Sequence, residues 1–363
     1  MNMIIERIET IPLCVPLTRP FETSFGRFEN RDLVYVRMVT SDGEAMSECP
    51  VFGPYYSSET VTTARHIIED YLAPRLIGKA ISSVDQYVER VAEIRGHPMA
   101  KSALENAIWD LSARLAGQPL HRFLGGVKSE IPVGVSLGVQ SHIGELLELI
   151  ESSLERGYQR VKIKIHQGWD LDVVAQVRDR FPDIPLMVDA NAAYTLKDLP
   201  LFEAMDAYEL IMIEQPLHHT DLSQHAALQR VLKTPICLDE SVKGLADVEA
   251  ANVLGSCQIV NIKPFRVGGL YETARIARYC AENGLHVWCG GMVETGLGRA
   301  INLAAASLEA FDHVNDIAPT LDRFVEDAIE PPLEMTEVGT IRLSERPGLG
   351  YEVRDAFVER YRV

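Results

Sequence analysis

From Ile131 onward short apolar runs return at an almost constant interval, and this rhythm restricts the fold more than any other feature of the chain. The runs are IPVGVSL from Ile131, RVKIKI from Arg160, IPLMVDA from Ile184, LIMIEQP from Leu210, TPICLDES from Thr234, CQIVNIKP from Cys257 and GLHVWCGG from Gly284. HVNDIAP from His313 is a weaker eighth. Helical segments such as HIGELLELIESSLERG and LADVEAANVLG lie between them. A strand followed by a helix, repeated about every 25 residues, requires a parallel sheet with helices on its faces. Seven or eight such units close most naturally into a TIM-type barrel; a doubly wound open sheet is the alternative.

The 363 residues leave room for more than the barrel. Residues 1–125 read as an α+β domain. DLVYVRMVTSDGEAMSECP predicts two strands turning at Ser41-Asp42-Gly43. In MAKSALENAIWDLSARLAGQPL, Leu104, Ile108, Leu111 and Leu115 form a helical stripe that stops at Gly117, with Pro119 beyond. Residues 126–319 carry the repeats. Residues 320–363, with GTIRLSERPGLGYEV, read as a β-like segment that returns to the first domain.

The ionisable residues fall at the ends of the predicted strands. Lys162 and Lys164 share one face of RVKIKI, because successive strand residues point to opposite sides. An isolated strand of this kind reads as a wet or edge strand, but a barrel strand has no wet face except at the mouth. Asp189, Glu214, Asp239 and Lys263 end the following runs. The intervals from Lys164 to Asp189, to Glu214 and to Asp239 are 25 residues each, and Asp239 to Lys263 is 24. One repeat separates each residue from the next, so all five are expected at one height, the C-terminal mouth of the barrel.

Three carboxylates brought together resist ionisation unless a cation sits among them. Oxygen donors without His or Cys at equivalent positions suit octahedral Mg²⁺, with Mn²⁺ as a substitute, and disfavour zinc. Lysines on either side of a metal-bound carboxylate suit removal of an α-proton from one face and its return to the other, through a metal-stabilised enediolate. Lys162 is a like charge expected to lower the pKa of Lys164. Arg266 is expected to do the same to Lys263.

These residues resemble the enolase superfamily in its muconate-lactonizing subgroup, whose use of a Lys base with Mg²⁺ is a general property of that superfamily. The resemblance spans nearly the whole chain, through ALENAIWDLSARLAGQPLHRFLGG, MVDANAAYTLKD, IEQPL and LDES. More narrowly, PYYSSET, VNIKPFRVGG and VWCGGMVETGLGRAINLAAAS are similar to the family of o-succinylbenzoate synthases and N-acylamino acid (N-succinylamino acid) racemases. The resemblance implies an α/β fold: a modified TIM barrel of (β/α)7β type with an α+β capping domain built from the N-terminal region and the C-terminal tail. It implies Lys164 and Lys263 as the acid/base pair, Lys162 assisting, and Asp189, Glu214 and Asp239 on the metal. Ser136, Asn191, Arg266, Gly291, Met292 and Val293 would meet a small-molecule carboxylate substrate. The loop Pro20–Phe28 would close over the mouth and set specificity. A homo-oligomer, dimer or octamer, is implied. Racemisation of N-succinylamino acids is the expected activity, with o-succinylbenzoate synthesis (a step of menaquinone biosynthesis) beside it. A dedicated synthase is the alternative, then dipeptide epimerase or muconate cycloisomerase. The eighth segment, Asp312 to Asp316, lacks the Asp-x-Asp of epimerases. Phe265 stands where family members commonly have Gly, and Ile165–Gly168 also departs from the family pattern.

Other classes fit less well. A formal charge of −17 argues against nucleic-acid or anionic-membrane surfaces. No stretch matches a membrane span, and charges in the first nine residues break any leader, so the cytoplasm is expected. The six cysteines read as reduced and buried. Gly296 and Gly298 lack the remainder of a dinucleotide fingerprint, although the amides of that loop suit a substrate carboxylate. His218 and His219 read as a loop pair and His286 as a core residue. A Schiff-base aldolase would use a strand-end lysine but has no need of three spaced carboxylates.

Overall fold

The computed structural model describes residues 3–23, 26–53 and 56–363. The chain opens with β1 (Met3–Thr23), β2 (Gly26–Thr40), β3 (Gly43–Cys49) and the short β4 (Ala80–Ile81), in one antiparallel sheet ordered β3-β2-β1-β4. Thr40 pairs with Gly43 across the turn expected at Ser41-Asp42-Gly43, where Gly43 has φ 140. The first strand was hidden by Pro12, Pro16 and Pro20. It tolerates them because β4 covers only Met3 and Ile4, and the returning C-terminal segment bridges the outer edge at Leu13 and Leu17, asking no N–H of Pro12, Pro16 or Pro20. The helix Pro98–Leu115 is buried nearly all round. Leu104, Ile108 and Leu111 are in the core, whereas Leu115, expected in the same stripe, is 46% exposed.

The run IPVGVSL splits. Its first part lies in β5 (Glu130–Pro132), which pairs antiparallel with Thr340–Arg342, and only β6 (Val135–Leu137) enters the barrel. Then follow β7 (Val161–Lys164), β8 (Leu186–Asp189), β9 (Ile213–Glu214), β10 (Ile236–Leu238), β11 (Ile259–Ile262) and β12 (His286–Cys289). The seven strands β6 to β12 are parallel and adjacent in chain order. Near His313 the chain forms bridges in place of a full strand: Phe311 pairs with Val287 and Asn315 with Val133, both parallel. This eighth segment joins the two edges, so the sheet closes.

Side chains facing inward form a core of their own: Met187, Met212, Cys237, Ile259 and Trp288. Each precedes a strand-end polar residue by two positions or stands at the corresponding level, so the interior is filled below the mouth. After the barrel the chain returns to β1, with bridges Leu17–Phe324 and Leu13–Arg362. All six cysteines are free, and Cys14 alone is not fully buried. Among the described residues no helix is long and apolar enough to cross a membrane.

One buried acid ties the antiparallel sheet to the barrel. Glu48, on β3, accepts hydrogen bonds from Thr295 Oγ1 (2.6 Å), Thr295 N (3.2 Å) and Gly298 N (3.1 Å), where the helix Gly296–Ala306 begins. These amides are therefore occupied, which corrects the expectation that they meet a substrate. Burial pushes the Glu48 carboxyl up to about 8, against the Thr295 hydroxyl that favours its ionised form. A raised folded pKa gives stability that is fully present below the unfolded value and lost as pH rises through about 8. Glu48→Ala strands three donors and should cost about 2–4 kcal/mol. Urea unfolding at pH 6 and pH 9 checks both statements: the wild type weakens at pH 9, and the variant loses part of that dependence.

Candidate active site

RVKIKI supplies β7, and all four of its strand residues are buried. Val161 and Ile163 face the surrounding helices, so Lys162 and Lys164 face the interior. Lys162 Nζ contacts Asp316 Oδ2 (2.7 Å), Glu214 Oε2 (3.1 Å) and Asp189 Oδ2 (3.4 Å), and lies 4.9 Å from the Trp288 ring centre. Lys164 Nζ donates to Asp189 Oδ2 (2.6 Å) and Asn191 Oδ1 (2.8 Å). Lys263 Nζ donates to Asp239 Oδ2 (2.9 Å) and to the Tyr56 hydroxyl (2.9 Å).

Register explains how equal spacing becomes equal height. Lys164 pairs with Asp189, and Asp189 with Glu214. Glu214 pairs with Cys237, so Asp239 lies two residues further along β10's direction; Cys237 pairs with Ile259, so Lys263 lies two beyond Asp239. The series climbs four residues over four strand steps, about one per strand, which is the advance that strand tilt demands in an eight-membered barrel of shear 8. Counting β6 as first, the lysines come from the second and sixth positions of eight and face each other across the mouth.

The three carboxylates are each 1% exposed or less. Burial opposes ionisation of Asp189 and Asp239, but Lys164 beside the one, and Lys263 and Arg266 beside the other, hold both below the usual carboxylate range. Glu214 goes the other way: burial and the neighbouring Asp189 push it up to about 7. A site in which one of three carboxyls resists ionisation calls for more positive charge, and the all-oxygen donor set suits a hard divalent cation. Their ligand oxygens do not all lie within 4.8 Å of one another; among the described residues only the surface trio His286, Asp312 and His313 is that close. Each of the three mouth carboxylates is instead turned to a lysine or arginine.

Neither Lys162 nor Lys263 is tuned downward. Burial lowers Lys162, but Asp316, Glu214 and Asp189 outweigh it, and the net direction is up. Lys263 is likewise raised, by Asp239 and Tyr56 over burial, although Arg266 acts in the expected downward sense.

A cleft of about 720 Å³ opens over these groups. Ser136, Asn191, Gly291, Met292 and Val293 line it, together with both Lys164 and Lys263. Asn191 and Val293 have φ 41 and 55, left-handed values that place strain at the mouth. Arg266 does not line this cleft. Its guanidinium is bonded to Asp239 Oδ1, donates from Nε to Val242 O (2.7 Å) and reaches the Tyr56 hydroxyl (3.3 Å), and it lines an adjacent cavity that shares Tyr56 and Asn191 with the cleft. Phe265 is fully buried in the core. Of the loop Pro20–Phe28, Phe21 and Thr23 line the cleft, and Ser24 and Phe25 lie outside the described residues, as do Pro54 and Tyr55 of PYYSSET. His218 and His219 stack at 4.3 Å, while His286, expected in the core, is exposed at the start of β12 and bonded to Asp312 (2.6 Å).

Several participants went unread in the sequence. Tyr56 reaches Lys263 from the N-terminal region. Asp316 holds both Lys162 and the buried Arg160 (2.6 Å). Asn261 donates to Glu214 Oε1 (2.7 Å). Glu240 accepts from Asn191 Nδ2 (2.9 Å), and burial beside Asp239 pushes its carboxyl up to about 8. Asp316 carried a usable signal, since it ends the eighth run as the other acids end theirs.

Residues 145–357 match the enolase C-terminal domain-like family, and residues 7–125 match the N-terminal domain of mandelate racemase and muconate lactonizing enzyme. The chain is 48% identical over 363 residues to o-succinylbenzoate synthase of Geobacillus kaustophilus, covering 99% of this chain and 96% of that one. It is 43% identical over 350 residues to N-succinylamino acid racemase of an Amycolatopsis species, covering 96% and 95%. A solved structure of an enolase superfamily member from Listeria innocua superposes with TM-score 0.96 at 38% identity, covering 99% and 98%. The alternating inward lysines, the strand-end acids and these matches lead to one conclusion: the chain belongs to the enolase superfamily, in the branch of mandelate racemase and muconate lactonizing enzyme.

Proposed function

We propose that this protein takes a proton from the carbon α to a carboxylate and returns one, racemising N-succinylamino acids, with o-succinylbenzoate synthesis in the same cleft. The observation that carries this reading is the pair Lys164 and Lys263, set at opposite positions around the mouth and both lining the cleft. The two relatives described above bear the names of these two activities. A dipeptide epimerase is not favoured, since Asp316 is engaged by Lys162 and Arg160.

Superfamily membership implies a divalent metal. We assign Mg²⁺, with Mn²⁺ as a substitute, to Asp189, Glu214 and Asp239. A cation there would hold the substrate carboxylate, supply charge to the enediolate and offset the acids that raise Lys263. The protein's own groups do the remainder. Lys164 and Lys263 exchange protons with opposite faces of the α-carbon. Asp189 and Asn191 aim the Lys164 ammonium; Tyr56 and Asp239 aim that of Lys263. Lys162 sits below Lys164 as fixed positive charge. Residues 1–125 with the returning segment 320–363 act as the cap, residues 126–319 hold the chemistry, the loop near 20–28 sets specificity, and the assembly is a homo-oligomer.

The test incubates the protein with Mg²⁺ and an N-succinyl-L-amino acid in D₂O. Loss of the α-proton signal and decay of optical rotation are expected, equally from the D-enantiomer. The absence of exchange with every acylated amino acid tried would overturn the racemase reading.

A further inference from the structure

One sector of the cleft holds a cation that the chemistry above does not use. Arg323 follows the turn Thr320–Asp322 and lines the cleft with Arg299 beside it. Its backbone is pinned to the cap: Thr18 N donates to Arg323 O (2.8 Å), and Leu17 bridges Phe324. Its side chain lies against the Phe21 ring, 4.8 Å from the centre, and donates from Nη2 to the Ser136 carbonyl. That is its one hydrogen bond from the guanidinium among the described residues.

Other buried arginines are better partnered. Arg160 has Asp316, Arg266 has Asp239, and Arg299 is met by the carbonyls of Glu294, Ala318 and Pro319. No carboxylate lies within 4.0 Å of Arg323 among the described residues. The two acids that share its side of the cleft are occupied, Asp316 by Lys162 and Arg160 and Glu294 by Asn302 Nδ2 (3.0 Å). Burial and the adjacent Arg299 lower the Arg323 pKa by more than the nearby Asp316, Tyr158 and Asp322 raise it. A planar guanidinium backed by an aromatic face and half-buried in a cleft is suited to bidentate capture of a carboxylate.

Its place in the ring gives the ligand its shape. Ser136 lies on β6, the first position of eight, and Asp239 ends β10, the fifth. Arg323 therefore faces the metal-ligand acids across the mouth, with Lys164 and Lys263 between them and Phe21, Phe52 and Met292 lining the space. We propose that Arg323 is an anion subsite that receives the far carboxylate of a two-carboxylate substrate whose near carboxylate lies at the Asp189–Glu214–Asp239 end. The inference rests on the proposed racemase and synthase reading for the substrate class, and it makes the terminal carboxylate of a succinyl group, which an acetyl group lacks, the feature the protein selects.

The test compares kcat/KM for N-succinyl- and N-acetyl-methionine in wild type, Arg323→Met and Arg323→Lys. Arg323→Met should reduce the succinyl-to-acetyl preference by about 30-fold or more, through KM, with part of the preference kept by Arg323→Lys. An unchanged ratio, or a proportional fall on both substrates, overturns the subsite. Calorimetric titration of the Mg²⁺-loaded proteins with o-succinylbenzoate and with benzoate separates this from the functional reading. If the wild type racemises neither substrate, the functional reading fails. The subsite then stands only if Arg323→Met weakens o-succinylbenzoate binding by about the same factor and leaves it no tighter than benzoate.

Discussion

Lys164→Ala is expected to lower α-proton removal from the face that Lys164 serves by about 10⁴-fold, the upper range for a positioned general base, and both Lys164→Ala and Lys263→Ala to abolish racemisation to a similar degree. The two variants should differ in what survives. Lys164 and Lys263 stand on opposite sides of the mouth, and in the proposed reaction each serves one face of the α-carbon. With Lys263 replaced, Lys164 can still remove and restore a proton on its own side. One enantiomer should therefore keep exchanging its α-proton in D₂O while its optical rotation stays constant. Lys164→Ala should show the converse for the other enantiomer. Neither change should unfold the protein. Asp239 keeps Arg266 when Lys263 is gone, and Asp189 keeps Lys162 at 3.4 Å when Lys164 is gone. Proton NMR and polarimetry on both enantiomers provide the check. Free racemisation of both by Lys263→Ala would refute the two-base arrangement. Dehydration to o-succinylbenzoate requires a base on one side only, so Lys263→Ala should retain more of that activity than Lys164→Ala does.

The barrel was legible because its repeat is a local property: each unit needs its own apolar strand and its own helix, and neither depends on distant partners. The interior placement of Lys162 and Lys164 followed from strand alternation once the parallel sheet was inferred. What could not be read depends on long-range contacts. Tyr56 meets Lys263 across more than two hundred positions of sequence. Asp316 belongs to a segment that pairs through bridges, too short to register as a strand. Arg266, three residues after Lys263, sits on the turn Pro264–Val267 and points to Asp239, a direction that spacing alone does not fix. β1 was missed because proline counts against a strand until one knows that the strand is an edge. Lysine tuning failed as a local argument at Lys263. Arg266 acts downward as expected, but Asp239 and Tyr56, from other parts of the chain, outweigh it and burial together.

Glu214→Gln should separate the metal site from the fold. Glu214 is fully buried at the fourth of eight positions, between Asp189 and Asp239, and glutamine has nearly its shape. The amide oxygen of glutamine can still accept the Asn261 Nδ2 bond that Glu214 Oε1 accepts at 2.7 Å. Lys162 loses one partner but retains Asp316 at 2.7 Å and Asp189 at 3.4 Å, so no buried charge is left alone. The change also removes a carboxyl whose ionisation burial opposes, pushing it up to about 7. Stability without added metal should then shift by about 1 kcal/mol or less, well below the several kcal/mol that an uncompensated buried lysine would cost. Divalent-ion affinity should fall sharply, because a neutral amide replaces one of three anionic donors around a hard cation. Activity should fall by about 10³-fold or more, the scale of losing a group that stabilises developing charge in a site closed to water. Isothermal titration with Mg²⁺ and with Mn²⁺, beside urea unfolding in EDTA, measures the two effects separately. Wild-type affinity for Mg²⁺ in the variant would remove Glu214 from the ligand set. A large loss of stability in EDTA would instead make it a structural counter-ion of Lys162, because then the acid, and not the cation it helps to bind, is what the fold requires.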